Sequence, residues 1–438
     1  MMNNFKFLLI TIFLFKPAFC GLKIEINRGT FQPDPIAIVS FVNNSGLDNL
    51  GANISKVIEE NLESSGLFIP IDKSSFIQTR DSLLKDGVRF ADWRLIKTRF
   101  LLYGELEDLG FGKIEVKFHL FDVNTGESMQ ALAMSGDKEK WRKIAHMISD
   151  SIYTRVTNET GYFNTQIVFV EALSGKGKNQ KKRLVRMDRD GFNFEPLTDG
   201  KNLVLTPRYS KDGKNIAYLS FINKEANIYV MDLKTKRQTL LGNFRDMNFA
   251  PRFSPDSKKV VMSIVENGAS AIYTMDLLSK KLTRLTDHIS IDTSPCFSPD
   301  GSEIVFTSNR SGKEHIYIMD INGGSVRRIS FGDDGKYSQP VWSPRGDIIA
   351  FTKQVGNTFY IGIINVDGSQ ERLIAQGFLV EGADWSPNGR YIMFSKENSL
   401  LDKGKIYVVD LTGRNMREVK TTADCSDCSW SPLLTGLD

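Results

Sequence analysis

The chain has 438 residues, 41% apolar and 25% charged, the composition of an ordinary globular protein of about two domains. It excludes a disordered or collagen-like chain. The formal charge of +4 includes Lys6 and Lys16, so +4 less these two leaves +2 without the leader that holds them, too little to mark a nucleic-acid binder.

Residues 1–20 read as a signal peptide. Phe7 to Phe15 is an apolar run between Lys6 and Lys16. Such a run is far short of the roughly 20 residues that span a bilayer, and it suits a leader's apolar core. Small residues at Ala18 and Cys20 place cleavage before Gly21. A lipoprotein with Cys20 acylated is the rival reading, and bulky Phe19 counts against it. No later run is long or apolar enough to cross a membrane, so the mature protein is expected to be exported and soluble.

Residues 21–34 follow as a separate segment, in which Leu22, Ile24 and Ile26 alternate with Lys23, Glu25 and Asn27 before Pro33 interrupts. Residues 35–160 pattern as an α/β domain. Pro35 to Val42 reads as a buried strand, and Asp48 or Asn49 caps a helix to about Glu63, which Gly66 stops. Leu67 to Ile71 is a short strand, Ser74 to Leu84 is ambiguous, and Asp92 to Lys97 is a short helix. Phe100 to Leu106, Lys113 to Asp122 and Ser128 to Ser135 are strands. Lys138 to Thr157 carries Trp141, Ile144, Ile148, Ile152 and Val156 at helical spacing.

Residues 161–438 are a repeat array. An aromatic-Ser phrase recurs at Ser210, Ser254, Ser298, Ser343, Ser386 and Ser431, steps of 44, 44, 45, 43 and 45 residues. It is preceded in turn by Tyr209, Phe253, Phe297, Trp342, Trp385 and Trp430. A second phrase ends at Asp188, Asp232, Asp276, Asp320, Asn365 and Asp410 on the same period. A period of 40–50 residues in short β-type runs is that of a propeller with one four-stranded blade per repeat. Pro, Asp and Gly in Ser298-Pro299-Asp300-Gly301 supply the preset φ, the backbone acceptor and the left-handed slot of a hairpin turn. The fold expected is an α/β N-terminal domain plus an all-β six-bladed β-propeller. Trp430's strand is expected to return to the first blade, close the propeller and remove its exposed edges.

Reactive constellations are few. There is no Gly-x-Ser-x-Gly elbow and no phosphate-binding Gly-x-x-x-x-Gly-Lys loop. His119, His146, His288 and His315 are dispersed, so no metal, no cofactor and no catalytic residue is expected. Cys425 and Cys428 are the one close cysteine pair, either a disulfide or two unpaired thiols. The basic run Lys176 to Arg183 reads as a solvated loop.

Taken together, these features resemble the TolB family, soluble periplasmic components of the Tol–Pal system. The likeness rests on the leader, Leu22-Lys23-Ile24-Glu25-Ile26, Pro35-Ile36-Ala37-Ile38-Val39, the six aromatic-Ser repeats and the ending after Trp430-Ser431-Pro432. It implies a monomeric, non-enzymatic adaptor in the periplasm. The propeller would receive the lipoprotein Pal, and Leu22, Lys23, Ile24, Glu25, Ile26 and Asn27 would engage TolA. An alternating segment is suited to strand addition on a partner's sheet. By register from Pro207, Pro251, Pro295 and Pro340, the resemblance carries the Pal contacts to Leu205, Met247, Asn248, Ala250, Asp292, Thr293, Ser294, Ser338 and Gln339. An exported propeller enzyme using acids such as Asp292, Asp384 and Asp424, or a glycan- or peptidoglycan-binding propeller, stands as the alternative.

Overall fold

Asp34–Ile38 (β1) has side chains of alternating direction, and the structure buries both sets. The structure is a computed structural model that describes residues 32–43, 49–174, 181–222, 225–243, 251–266, 268–287, 289–421, 423–434 and 436. The segment assigned to TolA, and Met247, Asn248 and Ala250, lie outside the described residues. Ile36 and Ile38 face Leu50–Ser64 (α1), whereas Ala37 and Val39 pack with Trp93 and Leu101. A strand buried on both faces belongs in the middle of a parallel sheet. Accordingly β1 pairs in parallel with Phe68–Pro70 and Phe100–Gly110, and Val42–Asn43 pairs in parallel with the latter. Lys113–Asp122 and Ser128–Asp137 extend the sheet antiparallel.

The ambiguous stretch resolves into a 3₁₀ turn at Lys73–Ser75 and a short helix, Arg80–Asp86 (α2), capped by the Thr79 hydroxyl. Phe90–Leu95 (α3) follows. The helix expected from Lys138 is a 3₁₀ turn to Lys140 and then Trp141–Thr157 (α4). Asn49 precedes α1 but its side chain makes no capping bond.

Six four-stranded antiparallel sheets form the propeller. In each repeat the serine phrase is the turn from the inner strand to the second. Ser298 Oγ donates to Asp300 Oδ1 at 2.6 Å and accepts from Glu303 N at 2.9 Å, and Gly301 takes φ +75°. Ser210, Ser254 and Ser386 make the same pair of bonds. The second phrase closes the outer hairpin. There Asp232, Asp276, Asp320 and Asp410 accept from backbone N–H groups two or three residues on. In the fifth repeat Gly362 stands where four of the others carry tyrosine (Tyr229, Tyr273, Tyr317 and Tyr407) and the first carries Val185. The ring of Phe351 fills that place, and a Cβ at Gly362 would lie 2.4 Å from it.

The expected closure is corrected by the sheet topology. Each sheet is an open path with two edge strands, and none closes on itself. Asp424–Trp430 is one end of the path that continues through Gln166–Ser174, Lys181–Asp188 and Glu195–Pro196. The physical reason is that neighbouring blades meet chiefly by side-chain packing, which leaves each ladder with its own edges.

The two domains share one apolar core. Ile144, Ile148 and Ile152 of α4 are buried in the same cluster as Tyr162, Phe163, Met393 and Trp430. Tyr162 stacks on Tyr391 with centroids 4.5 Å apart, and Tyr391 Oη donates to the Ser65 carbonyl at 2.7 Å. Arg390 pairs with Glu159 through Nε and Nη2. The α/β domain therefore bears on the end of the propeller where the serine turns lie.

Candidate functional site at the propeller mouth

Inner strands run from the opposite end, here called the mouth, toward the serine turns. In five blades the inner strand slips register at the same place, between Leu205 and Arg208, Thr293 and Cys296, Ser338 and Val341, Glu381 and Asp384, and Ser426 and Ser429. The extra residue takes a left-handed backbone: Thr206 (φ 47°), Ser294 (52°), Gln339 (49°), Gly382 (68°) and Asp427 (52°). A bulge bends its strand and re-aims a side chain. These five converge around a cavity of about 30 Å³ on the axis, with Arg208 and Arg252 at its floor.

Below that constriction lies a wider chamber of about 300 Å³, lined by all six aromatic-Ser phrases. Arg208 and Arg252 line both spaces. Arg208 Nη1 donates to the Pro207 and Cys428 carbonyls, at 2.8 and 3.3 Å. Burial, reinforced by Arg252, pushes its guanidinium down to about 10. Arg252 lies 3.6 Å from Asp384, whose Oδ2 accepts from Ser429 Oγ and Trp430 N at 2.8 and 2.9 Å. Burial alone would raise Asp384, and Arg252, Arg208 and Lys211 hold it below the ordinary value. Three cations thus act on one carboxylate and hold it ionised, a charged strut between blades.

The predicted positions divide. Ser294 and Gln339 line the cavity at the mouth, Thr293 and Ser338 precede them at the register slips of their strands, and Leu205 packs partly buried against the core of the second and third blades. Gln339 Oε1 accepts from Gly382 N at 2.9 Å and so ties two blades. Asp292 lies beneath that surface. It is fully buried, accepts from Ser290 Oγ at 2.7 Å, and holds Arg310 Nη2 at 3.0 Å. The periodicity does not single out Glu381, whose carboxyl burial pushes up to about 7, helped by Asp427 and Glu397. Nor does it single out the exposed apolar side chains of the inter-strand loops, Ile289 (93% exposed), Leu400 and Leu401. Apolar side chains in turn-rich loops were the available signal, and exposed apolar surface marks places where proteins dock.

Cys425 and Cys428 are free thiols, which corrects the disulfide alternative. The reason is direction: Cys425 Sγ approaches the Ala423 carbonyl and Cys428 Sγ the Gly382 carbonyl of the neighbouring blade. Burial pushes the Cys425 thiol up to about 12 and raises Cys428 as well, so neither is poised for exchange.

Elsewhere, among the described residues, ligand atoms of His146, Asp188 and Asp190 gather within 4.8 Å of one another. The carboxylates and His146 Nδ1 are engaged inside the protein, whereas His146 Nε2 makes no hydrogen bond and lies 3.5 Å from Asp190 Oδ2. Asp188 accepts from Gln166 and Asn193, Asp190 pairs with Arg142, and His146 Nδ1 meets the Asn61 amide. Burial pushes His146 down to about 4, with Asp190 opposing and Arg189 and Arg142 assisting. Two guanidiniums beside the group make it a poor cation site.

This geometry defines a class: a β-propeller with an α/β domain seated on its turn end and an open, loop-lined mouth at the other. Comparison with known proteins gives the family. Residues 22–129 match the TolB amino-terminal domain and residues 153–434 the TolB beta propeller domain. The Tol-Pal system protein TolB of Paramagnetospirillum magneticum (strain ATCC 700264 / AMB-1) is 55% identical over 434 residues, 98% of this chain and 96% of that protein. The crystal structure of TolB from Acinetobacter baumannii matches with a TM-score of 0.82 at 27% identity, over 92% of this chain and 97% of that one. The chain belongs to the TolB family.

Proposed function

We propose that this chain is a non-enzymatic periplasmic adaptor of the Tol–Pal system, serving outer-membrane integrity and invagination during cell division. Family membership carries the system and the adaptor role. Pal docks on the mouth, contacting Leu205, Thr293, Ser294, Ser338 and Gln339, with Asp292 acting through Arg310 and with Met247, Asn248 and Ala250 from the third blade's loop. TolA takes residues 22–27. The signal peptide, residues 1–20, delivers the chain to the periplasm. Among the described residues no helix is long and apolar enough to cross a membrane.

The observation that supports the docking assignment is the ring of five left-handed bulges, which brings four side chains and one glycine from five blades to one opening. Among the described residues the α/β domain meets the propeller at the rim of the turn end. Pal occupancy and presentation of residues 22–27 are coupled equilibria and so reciprocal. Affinity for a TolA fragment, measured with and without saturating Pal, tests the coupling: a several-fold difference is expected, and equal values reject it. Pull-down from solubilised envelopes tests the adaptor role itself, with a lipoprotein bearing a peptidoglycan-binding domain as the expected catch and wall fragments alone as the contrary result.

A further inference from the structure

The residue before each aromatic ring faces the propeller axis, so Arg208, Arg252, Cys296, Val341, Asp384 and Ser429 all line the chamber of about 300 Å³. Their chemistry is not spread evenly. The second and third blades supply Arg208 and Arg252, the fourth and fifth supply Cys296 and Val341, and the sixth supplies Asp384. Arg252 reaches across the axis toward Asp384, and at 3.6 Å its Nη1 stops short of a hydrogen bond. Its side chain is 17% exposed. Among the described residues its guanidinium makes no hydrogen bond, yet none of its nitrogens is buried without a partner, so they open into the space they line.

Three cations, Arg208, Arg252 and Lys211, line the chamber against one carboxylate, and Asp384 already accepts from Ser429 Oγ and Trp430 N. The carboxylates of the neighbouring turns do not redress the excess. Asp212, Asp256 and Asp300 accept from their own serines and from backbone N–H groups, and none of them lines the chamber. Asp427 lines only the smaller cavity on the mouth side. The walls beyond the charges are apolar. Trp342, Trp385 and Trp430 donate their indole N–H groups to the Gly346 carbonyl, the Val341 carbonyl and Thr165 Oγ1, at 3.2, 3.0 and 2.9 Å. What they leave for an occupant is ring surface, framed at the rim by the turn prolines.

We propose that the chamber binds a small organic anion, a carboxylate on an apolar aryl or short alkyl body, with its oxygens on Arg252 and Arg208 and its body among the indole and proline rings. Guanidiniums hold carboxylates through charge-assisted hydrogen bonds, which strengthen where water is excluded. The space would hold about ten waters at roughly 30 Å³ each, which is room for a molecule the size of 3-phenylpropionate. Lys211 and Pro299 are exposed and mark the way in from the turn end. An inorganic anion would leave the rings unused, and a neutral apolar molecule would leave the arginines without a counter-charge. Burial and the like charge of Arg252 depress the Arg208 guanidinium, and a carboxylate between the two offsets their repulsion.

The test is a tryptophan-fluorescence titration of the full mature chain with 3-phenylpropionate at constant pH and ionic strength. Three of the chain's five tryptophans line the chamber, so an occupant is read directly. A saturable change with Kd below about 1 mM is expected. The alcohol 3-phenylpropan-1-ol lacks the charge and acetate lacks the body, and each should bind at least about tenfold more weakly. Arg252→Gln should weaken 3-phenylpropionate by about tenfold or more. Should that variant not fold, the comparison of the three probes on the wild-type chain decides instead. No saturable change with 3-phenylpropionate, equal binding of the alcohol or of acetate, or undiminished binding to a folded Arg252→Gln would each overturn the proposal.

Discussion

The two ends of the propeller share one backbone and differ in what it carries. At the turn end the repeats present nearly the same residues: an aromatic ring, a serine, and an Asp or Asn that accepts the serine's hydrogen in four blades. At the mouth the same left-handed bulge recurs with Thr206, Ser294, Gln339, Gly382 and Asp427, four different side chains and a glycine. A left-handed non-glycine residue costs about 1–2 kcal/mol, and here the ladders on either side hold it. Repetition thus keeps the geometry constant and leaves the chemistry free to vary. The invariant end carries stability and the α/β domain, and the variable end is where a partner can be read.

The largest test of that division is Trp430→Ala at the turn end. Its indole is 5% exposed, donates Nε1–H to Thr165 Oγ1 at 2.9 Å, and lies in the core shared by both domains. A loss of about 3–5 kcal/mol is expected from urea unfolding. A loss below about 1 kcal/mol would mean that the turn end is not where stability resides. Arg390→Ala comes next, at about 2–3 kcal/mol, because it removes the two-point partner of the half-buried Glu159 and leaves it only Arg345 at 3.5 Å. Hydrogen exchange should quicken in α4 and leave the second to fourth blades alone, and uniform quickening would contradict a local seam.

A smaller and pH-dependent effect belongs to the mouth. The fold prefers Glu381 protonated, since its carboxyl sits at about 7 against an ordinary 4.5. The stability it lends is full below about pH 4.5 and is lost as pH rises through about 7. Glu381→Gln should therefore stabilise at pH 8 by up to about 2 kcal/mol and be silent at pH 4. A flat difference across that range would show that the mouth carboxylates are fully hydrated.

The turn end was legible because its function is local. Ser298, Asp300 and Gly301 bond within five residues, so the phrase and its period are written in the chain. The α/β domain's long helices were legible from periodicity for the same reason. The mouth was only partly so. Counting back from the proline located Ser294 and Gln339, but the bulge that aims them is a register slip between strands, and no single position announces it. Asp292 reads as a surface residue in the sequence because its partner, Arg310, lies 18 residues away across a hairpin. The charge pair across the axis was invisible for a stronger reason: Arg252 and Asp384 are 132 residues apart (384 − 252) and meet only when the third and sixth blades face each other.

The smallest expected effect is the sharpest comparison. Ser294→Gly relieves about 1 kcal/mol of left-handed strain and adds about as much freedom to the unfolded chain, so stability should change by less than about 0.5 kcal/mol. Ser294→Val places a β-branched residue at φ 52° and should cost about 1–3 kcal/mol. The reverse change, Gly382→Ser, has room, since a Cβ there meets only the Asp427 Cα at 3.8 Å, and it should cost about 1 kcal/mol of strain alone. With stability nearly level between wild type and Ser294→Gly, any fall in Pal affinity reads recognition and not folding. If Ser294→Gly instead unfolds the chain by several kcal/mol, the serine is held by bonds of its own. The mouth would then serve structure as fully as the turn end does.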